Sequence, residues 1–164
     1  MRKIYLSTLV LVLCGCATTY QPKGFSGGFS ETQLDTNVFR VAFNGNGYTG
    51  REKAEDYALL RSAELALQNG FTHFAILDSR AGTNYSTFRT PTQSTTTGTA
   101  SVYGNTAYGS ATTTTTGGQS FLVQKPSSTN TIFCFKGKPE GVFTYDAAFL
   151  QRSLSQKYKI DTSK

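Results

Sequence analysis

Three thiols, one imidazole, a set of helical carboxylates and one glycine-rich turn are the groups from which this chain could build chemistry. Most are poorly placed for catalysis. His73 is the single histidine, which excludes a multi-histidine metal site, and no Ser or Cys partner for a triad is visible. Between Thr72 and Phe74 it reads as a satisfied or half-exposed strand residue. Cys134 lies in the apolar run Thr131-Ile132-Phe133-Cys134-Phe135 with no activating partner, which predicts a buried structural thiol. Glu52, Glu55, Asp56 and Glu64 share one segment with Arg51, Lys53 and Arg61, a mixture that predicts a solvated ion-pair face on a helix. A carboxylate pair for glycoside hydrolysis needs a cleft, and the sequence shows none. No catalytic residue, metal or cofactor is expected.

Gly45-Asn46-Gly47-Tyr48-Thr49-Gly50 matches the dinucleotide pattern G-x-G-x-x-G between a predicted strand and a predicted helix. Gly45, Gly47 and Gly50 are therefore the candidates for a small-anion or nucleotide site at residues 45–52. Several features oppose it. Phosphate needs free N–H donors at the helix start, and Thr49 and Glu52 form a T-x-x-E capping box that would occupy some of them. Glu52 would also repel a pyrophosphate. Asp78, the acid that could meet a ribose, lies 28 residues beyond Gly50, against a usual spacing of about 20. Only one βαβ unit is visible where a full dinucleotide fold uses two halves. The competing expectation gives these glycines to a tight strand-to-helix turn.

Cys16 is the one residue whose surroundings assign it a definite reaction. Arg2 and Lys3 are followed by the apolar run Ile4–Leu13 and then by Leu13-Cys14-Gly15-Cys16. A charged start, a short apolar core and a small residue before the cut describe a secretory signal peptide. The core has about half the roughly 20 residues a membrane-spanning helix needs. Leu-x-Gly-Cys resembles the bacterial lipobox, in which the cysteine thiol is acylated and the bond before it is cut. Gly15 suits the cleavage position and Leu13 does not, so Cys16 is the acceptor and Cys14 is not. Several acyl chains make such an anchor close to permanent. In Gram-negative lipobox proteins Asp after the cysteine favours inner-membrane retention, so Ala17 is compatible with the periplasmic face of the outer membrane.

Removing residues 1–15 from the 164 leaves 149, enough for one domain with its own core. Loss of Arg2 and Lys3 takes the basic count from 16 to 14 against 10 acids, a net charge of +4. The basic residues form no dense stripe with interleaved aromatics, so no nucleic-acid partner is expected. The most basic stretch is the tail, residues 159–164 with Lys157 and Arg152 before it, a solvated segment with weak attraction for anionic headgroups or cell-wall polymer. With Cys14 removed and Cys16 acylated, Cys134 stands alone and no internal disulfide is possible.

The elements that must position these residues follow in order. Residues 16–28, rich in Thr, Gly, Ser and Pro, read as a lipidated flexible tether. Residues 29–158 read as a single α+β domain. Phe29–Leu34 and Val38–Phe43 are two strands around the turn Asp35-Thr36-Asn37, and Phe39, Val41 and Phe43 share an apolar face. A helix from about 50 to 69 stops at Gly70, with Leu59, Leu60, Ala63, Ala66 and Leu67 on the core arc and a lesser stripe of Ala54, Ala58 and Leu65 available to touch a second surface. Arg51, Arg61, Glu64 and Gln68 lie off that arc. Residues 71–78, 121–124 and 131–136 are further strands, the last two joined by residues 125–130. A second helix over about 145–158 carries Ala147, Leu150, Leu154 and Tyr158. The resulting ββαβ, insertion, ββα order predicts a two-layer sandwich: a mostly antiparallel sheet with two helices on one face.

Residues 82–120 form a low-complexity insertion, and Thr90–Gln124 contains no charged residue. Threonine and tyrosine favour extended backbone, and Gly104-Asn105 suits a two-residue hairpin turn. A long loop with a marginal hairpin at its centre is expected, Arg89 and Lys125 flanking it as gatekeepers. Residues 95–116 could add a strand to an envelope protein or cell-wall partner; a tolerated surface insertion is the simpler alternative.

Gly28-Phe29-Ser30-Glu31-Thr32-Gln33-Leu34-Asp35, Phe39-Arg40-Val41-Ala42-Phe43-Asn44-Gly45-Asn46-Gly47-Tyr48-Thr49, Asp56-Tyr57-Ala58-Leu59-Leu60-Arg61-Ser62-Ala63-Glu64 and Asn69-Gly70-Phe71 together resemble a family of small uncharacterised proteobacterial lipoproteins. The resemblance covers about residues 16–78 closely and the last helix loosely, and it implies a lipid-anchored envelope protein without implying a mechanism. The expectation for function is a non-enzymatic binding or assembly component of the cell envelope, with the anion or nucleotide binder and a cell-wall hydrolase as alternatives.

Overall fold

The computed structural model describes residues 18–161. The expected signal peptide, Cys16 and the end of the basic tail lie outside the described residues.

Among the described residues nine elements follow in order: β1 (Gly28–Asp35), β2 (Val38–Asn44), α1 (Arg51–Gln68), β3 (His73–Arg89), β4 (Gln93–Tyr103), β5 (Thr106–Thr116), β6 (Ser120–Phe135), β7 (Tyr145–Asp146) and α2 (Ala147–Tyr158). Five of the strands form one antiparallel sheet in the order β1-β2-β6-β3-β7, and β4 and β5 pair only with each other. The fold is the expected α+β arrangement of a mostly antiparallel sheet and two helices. Its core joins Phe39 and Val41 of β2, Phe74 of β3, Ile132 and Cys134 of β6, Ala63 and Ala66 of α1, and Ala147 of α2. Alternation along β2 turns Phe39, Val41 and Phe43 inward, as a half-buried strand requires. Among the described residues no helix is long and apolar enough to cross a membrane.

The ends of α1 differ in how well the sequence foretold them. At its C-terminus the Phe71 N–H bonds the Ala66 carbonyl and the Gly70 N–H bonds the Leu67 carbonyl, with Gly70 at φ +76°. This double bond pattern requires a left-handed residue, which glycine adopts without strain. At its N-terminus the expected capping box is absent. The cap is Gly50, with no side-chain hydrogen bond; the Thr49 hydroxyl and Glu52 carboxylate serve other partners. The core arc also shifts. Ala54, Ala58 and Leu65 are buried with Leu60, Ala63 and Ala66, while Leu59 is only partly covered. Part of the reason is the second helix: α2 packs against α1, so α1 must fill two surfaces, and its small residues take the tight approach.

Residues 82–120 are not a loop. β3 runs on to Arg89, and β6 is one strand from Ser120 to Phe135 where two strands and a connection were expected. Residues 127–131 look loop-like in composition but lie between β2 and β3, paired with a strand on each side. Buried Asn130 accepts a hydrogen bond from the Ser79 hydroxyl at 2.8 Å. Pro126, which cannot donate to a ladder, sits where β2 ends; its carbonyl accepts from the Gly45 N–H at 2.8 Å. Beyond it β3 and β6 continue as a two-stranded ribbon, followed by the β4–β5 hairpin of eleven residue pairs turning at Gly104-Asn105.

The expected tether is overturned from residue 18 onward. Thr18 is buried, and Tyr20 packs on Phe29 and Tyr57 with ring centroids 4.9 and 5.3 Å away. Pro22 bridges Phe29, and a tight turn from Gly24 to Gly27 carries Phe25 at its tip. Gly27 has φ +101°, and a Cβ there would meet the Asn44 carbonyl at 2.3 Å. A composition typical of linkers here serves close backbone approach.

Candidate functional site

The glycine turn between β2 and α1 is a junction of the fold. The Asn46 N–H donates to the Thr18 hydroxyl at 2.9 Å, and the Thr18 N–H donates to the Thr49 hydroxyl at 3.2 Å. The Tyr48 N–H donates to the Asn46 side-chain oxygen at 3.0 Å, and the Thr49 N–H to the Asn46 carbonyl at 3.1 Å. With Gly45 bonded to Pro126, four of the five N–H donors that residues 45–49 could offer a phosphate, all but that of Gly47, are spent within the protein. Each glycine has its own explanation. A Cβ on Gly45 would lie 2.7 Å from the Thr49 Cβ, and one on Gly47 would lie 2.5 Å from a Val123 methyl. A Cβ on Gly50 would meet nothing within 4 Å. The pattern therefore reflects packing at two positions and no steric need at the third.

Beside this turn lies a groove of about 840 Å³. Phe25, Tyr48, Phe88 and Leu122 line it and are exposed large apolar or aromatic side chains. Val123 and Lys125 from β6 complete the wall opposite Asn46 and Gly47. The groove thus combines the N-terminal turn, the glycine turn and the root of the β3–β6 ribbon. Sequence reasoning assigned Phe25 to a tether and Phe88 and Leu122 to an insertion or short strand, so it had no means of bringing them together.

A polar cluster fixes the N-terminal segment to the body. The Tyr20 hydroxyl donates to Glu64, which is buried and also accepts from Arg61 at 2.9 Å. Arg61 binds Glu31 through two donors, at 2.6 and 2.9 Å, and stacks over Phe29 with its guanidinium 4.5 Å from the ring centre. Burial, followed by the Glu64 hydrogen bond, raises the Tyr20 pKa well above the usual phenol value. The Glu31 hydrogen bonds raise that of Arg61 in turn. Arg61 and Glu64 were expected on a solvated face; the segment 18–28 covers them instead. Glu52 and Asp56 find their ion-pair partner on the other helix: Lys157 of α2 holds them at 2.6 and 2.7 Å.

The remaining reactive groups are separated from one another. Cys134 is buried, its N–H bonded to the Asn37 carbonyl, and burial pushes its pKa up to about 12. A thiol held protonated is a poor nucleophile. His73 starts β3 with its Nδ1 2.9 Å from the Thr72 hydroxyl. Among the described residues no three His, Cys, Asp or Glu side chains are grouped to hold a metal ion.

The β4–β5 hairpin is exposed at every residue on both faces. One face carries Thr95, Thr97, Thr99 and Tyr103 beside Thr114, Thr112, Ser110 and Thr106; Thr96 and Thr113 bond across the other face at 2.9 Å. No strand among the described residues pairs with the outer edge of either β4 or β5. Comparison of the chain with protein-family models, with curated proteins and with solved structures found no match.

Proposed function

We propose that this chain is an exported lipoprotein of the bacterial cell envelope, acylated on Cys16, that binds a partner through the β4–β5 hairpin and performs no catalysis. Its place would be the periplasmic face of the outer membrane. The observation that carries the binding role is the hairpin itself, eleven residue pairs long with no charged side chain and two outer edges that no described strand pairs. A two-stranded ribbon alone is marginal in water, and an uncharged flat edge is a template for another strand. A partner that adds a strand would supply backbone hydrogen bonds along about 36 Å of edge. The lipid anchor is supported by the sequence Leu13-Cys14-Gly15-Cys16 behind a charged and apolar leader.

Two experiments test the two parts. Cys16→Ser should abolish acyl labelling and membrane fractionation; retained labelling contradicts the anchor. Photo-crosslinkers placed singly along residues 95–116 should trap one reproducible envelope partner in cells. Thr97→Lys with Thr112→Lys, which puts charge at paired positions of the two strands, should abolish the crosslink while leaving the body folded. A crosslink that persists in that variant, or its absence at every position, refutes strand addition.

A further inference from the structure

The groove beside the glycine turn has a position that its lining alone does not convey. Thr18 bonds both the Ser26 carbonyl, next to Phe25, and the Asn46 N–H, at 2.9 Å each. Cys16 precedes Thr18 by two residues, and two residues of chain reach at most about 7 Å. A lipid on Cys16 would therefore leave the protein beside Phe25 and Tyr48. Phe25 is fully exposed at the tip of its turn, and Tyr48, Phe88 and Leu122 stand more than half exposed around the same groove. Tyr48 suits the headgroup layer, where its ring is buried and its hydroxyl stays wet, and Phe25, Phe88 and Leu122 would bury apolar area at the same depth. The lining contains one cation, Lys125, and no acid, and Lys23 lies two residues before Phe25. That charge suits an anionic bilayer surface.

We infer that this groove is the membrane-facing surface of the domain, its rim of Phe25, Tyr48, Phe88 and Leu122 entering the headgroup layer beside the lipid on Cys16. The inference rests on the lipid-anchor proposal and adds an orientation to it. The domain would sit on the bilayer through protein contacts as well as through its acyl chains.

The test uses the full-length acylated protein, purified from bacteria and reconstituted into vesicles of phosphatidylethanolamine and phosphatidylglycerol with brominated acyl chains. The chain has no tryptophan, so Phe25→Trp and Tyr48→Trp each create a single fluorescent reporter at an exposed position. Phe143→Trp is the control; Phe143 lies just before β7, which pairs with the start of β3, about 40 Å along β3 from Ser86. The reporters at 25 and 48 should shift to the blue and lose most of their emission to bromine, while the control does neither. Acylated, vesicle-bound protein with unquenched reporters at 25 and 48 overturns the docking and leaves the anchor intact. Blue-shifted emission that bromine does not quench places a second copy of the chain in the groove and also overturns it. Failure to label Cys16 with acyl chains overturns both proposals.

Discussion

Replacing Gly47 with alanine sets a methyl group against Val123, and the consequence can be worked out from the contact. The new Cβ would lie 2.5 Å from a Val123 methyl, whereas two carbon atoms rest at about 3.5–4.0 Å. Valine is stiff at χ1, and Val123 is held in β6 by its pairing with Ser86. Overpacking of this kind costs about 1–3 kcal/mol. Alanine also restricts the unfolded chain, which returns about 0.4–1 kcal/mol. The net loss is about 1–2 kcal/mol, a drop in Tm of roughly 3–8 °C for a domain of this size. Gly45→Ala should cost more, about 2–3 kcal/mol, because its Cβ meets the Thr49 Cβ at 2.7 Å and the Pro126 carbonyl oxygen at 3.0 Å. Neither can yield easily, since Thr49 is bonded to Thr18. Gly50→Ala meets nothing and should stay within about 0.5 kcal/mol of the parent. Thermal and urea unfolding of residues 17–164, followed by circular dichroism, would measure all three. Adding Val123→Ala to Gly47→Ala removes the clashing methyl, and a coupling energy of about 1 kcal/mol is expected. If Gly47→Ala is neutral, or if Val123→Ala only adds to its loss, the packing explanation of the glycine pattern is wrong.

The other predictions concern the N-terminal segment, alkaline stability and the hairpin. Tyr20→Phe deprives buried Glu64 of a charge-assisted hydrogen bond and should cost about 1.5–3 kcal/mol in urea unfolding; an unchanged midpoint would mean that residues 18–28 are not fixed to the body. Burial and the Asp56 hydrogen bond push Tyr158 up to about 12, burial pushes Cys134 up to about 12, and Tyr20 is raised as well. For groups whose pKa rises on folding, stability is complete below the unfolded value and is lost as pH rises through the folded one. The urea midpoint should thus hold up to about pH 9 and fall from there to 12, with a shallower fall in Tyr158→Phe; a flat profile contradicts the assignment. Replacing residues 91–118 by a two-residue turn should leave Tm unchanged, because every residue of β4 and β5 is exposed; a fall of several degrees would show support from the hairpin to the body.

What was legible in the sequence was whatever a single periodicity could carry. Phe39, Val41 and Phe43 alternate cleanly, and Gly70 closes α1 by the one conformation that its place demands. The failures share a cause. Thr18 and Asn130 are polar residues buried because a particular neighbour satisfies them, and a neighbour 28 or 51 residues away leaves no local trace. The same applies to Glu64, whose helical position reads as solvated until Tyr20 covers it. Composition also misled in one direction. Runs of Thr, Ser and Gly suggested tether and loop at residues 16–28 and 82–120, but Thr is a good strand former, and cross-strand pairing decided the outcome in the second.

The loss of the tether changes what a lipid anchor would do here. With residues 16–28 flexible, the domain would sweep a volume around its anchor, and the hairpin would search for its partner. Thr18 is instead bonded to Asn46, Thr49 and Ser26, so Ala17 alone separates it from Cys16. The root of the hairpin's ribbon, at Ser86–Phe88 and Leu122–Lys125, lines the same groove beside which that anchor would emerge. Under the proposed anchoring, the ribbon therefore leaves the body close to the bilayer, and its orientation is set by the groove. A binding strand held in this way loses less freedom on meeting its partner than one on a flexible linker. The partner this arrangement favours is one already at the same membrane surface, presenting a strand edge at a matching height.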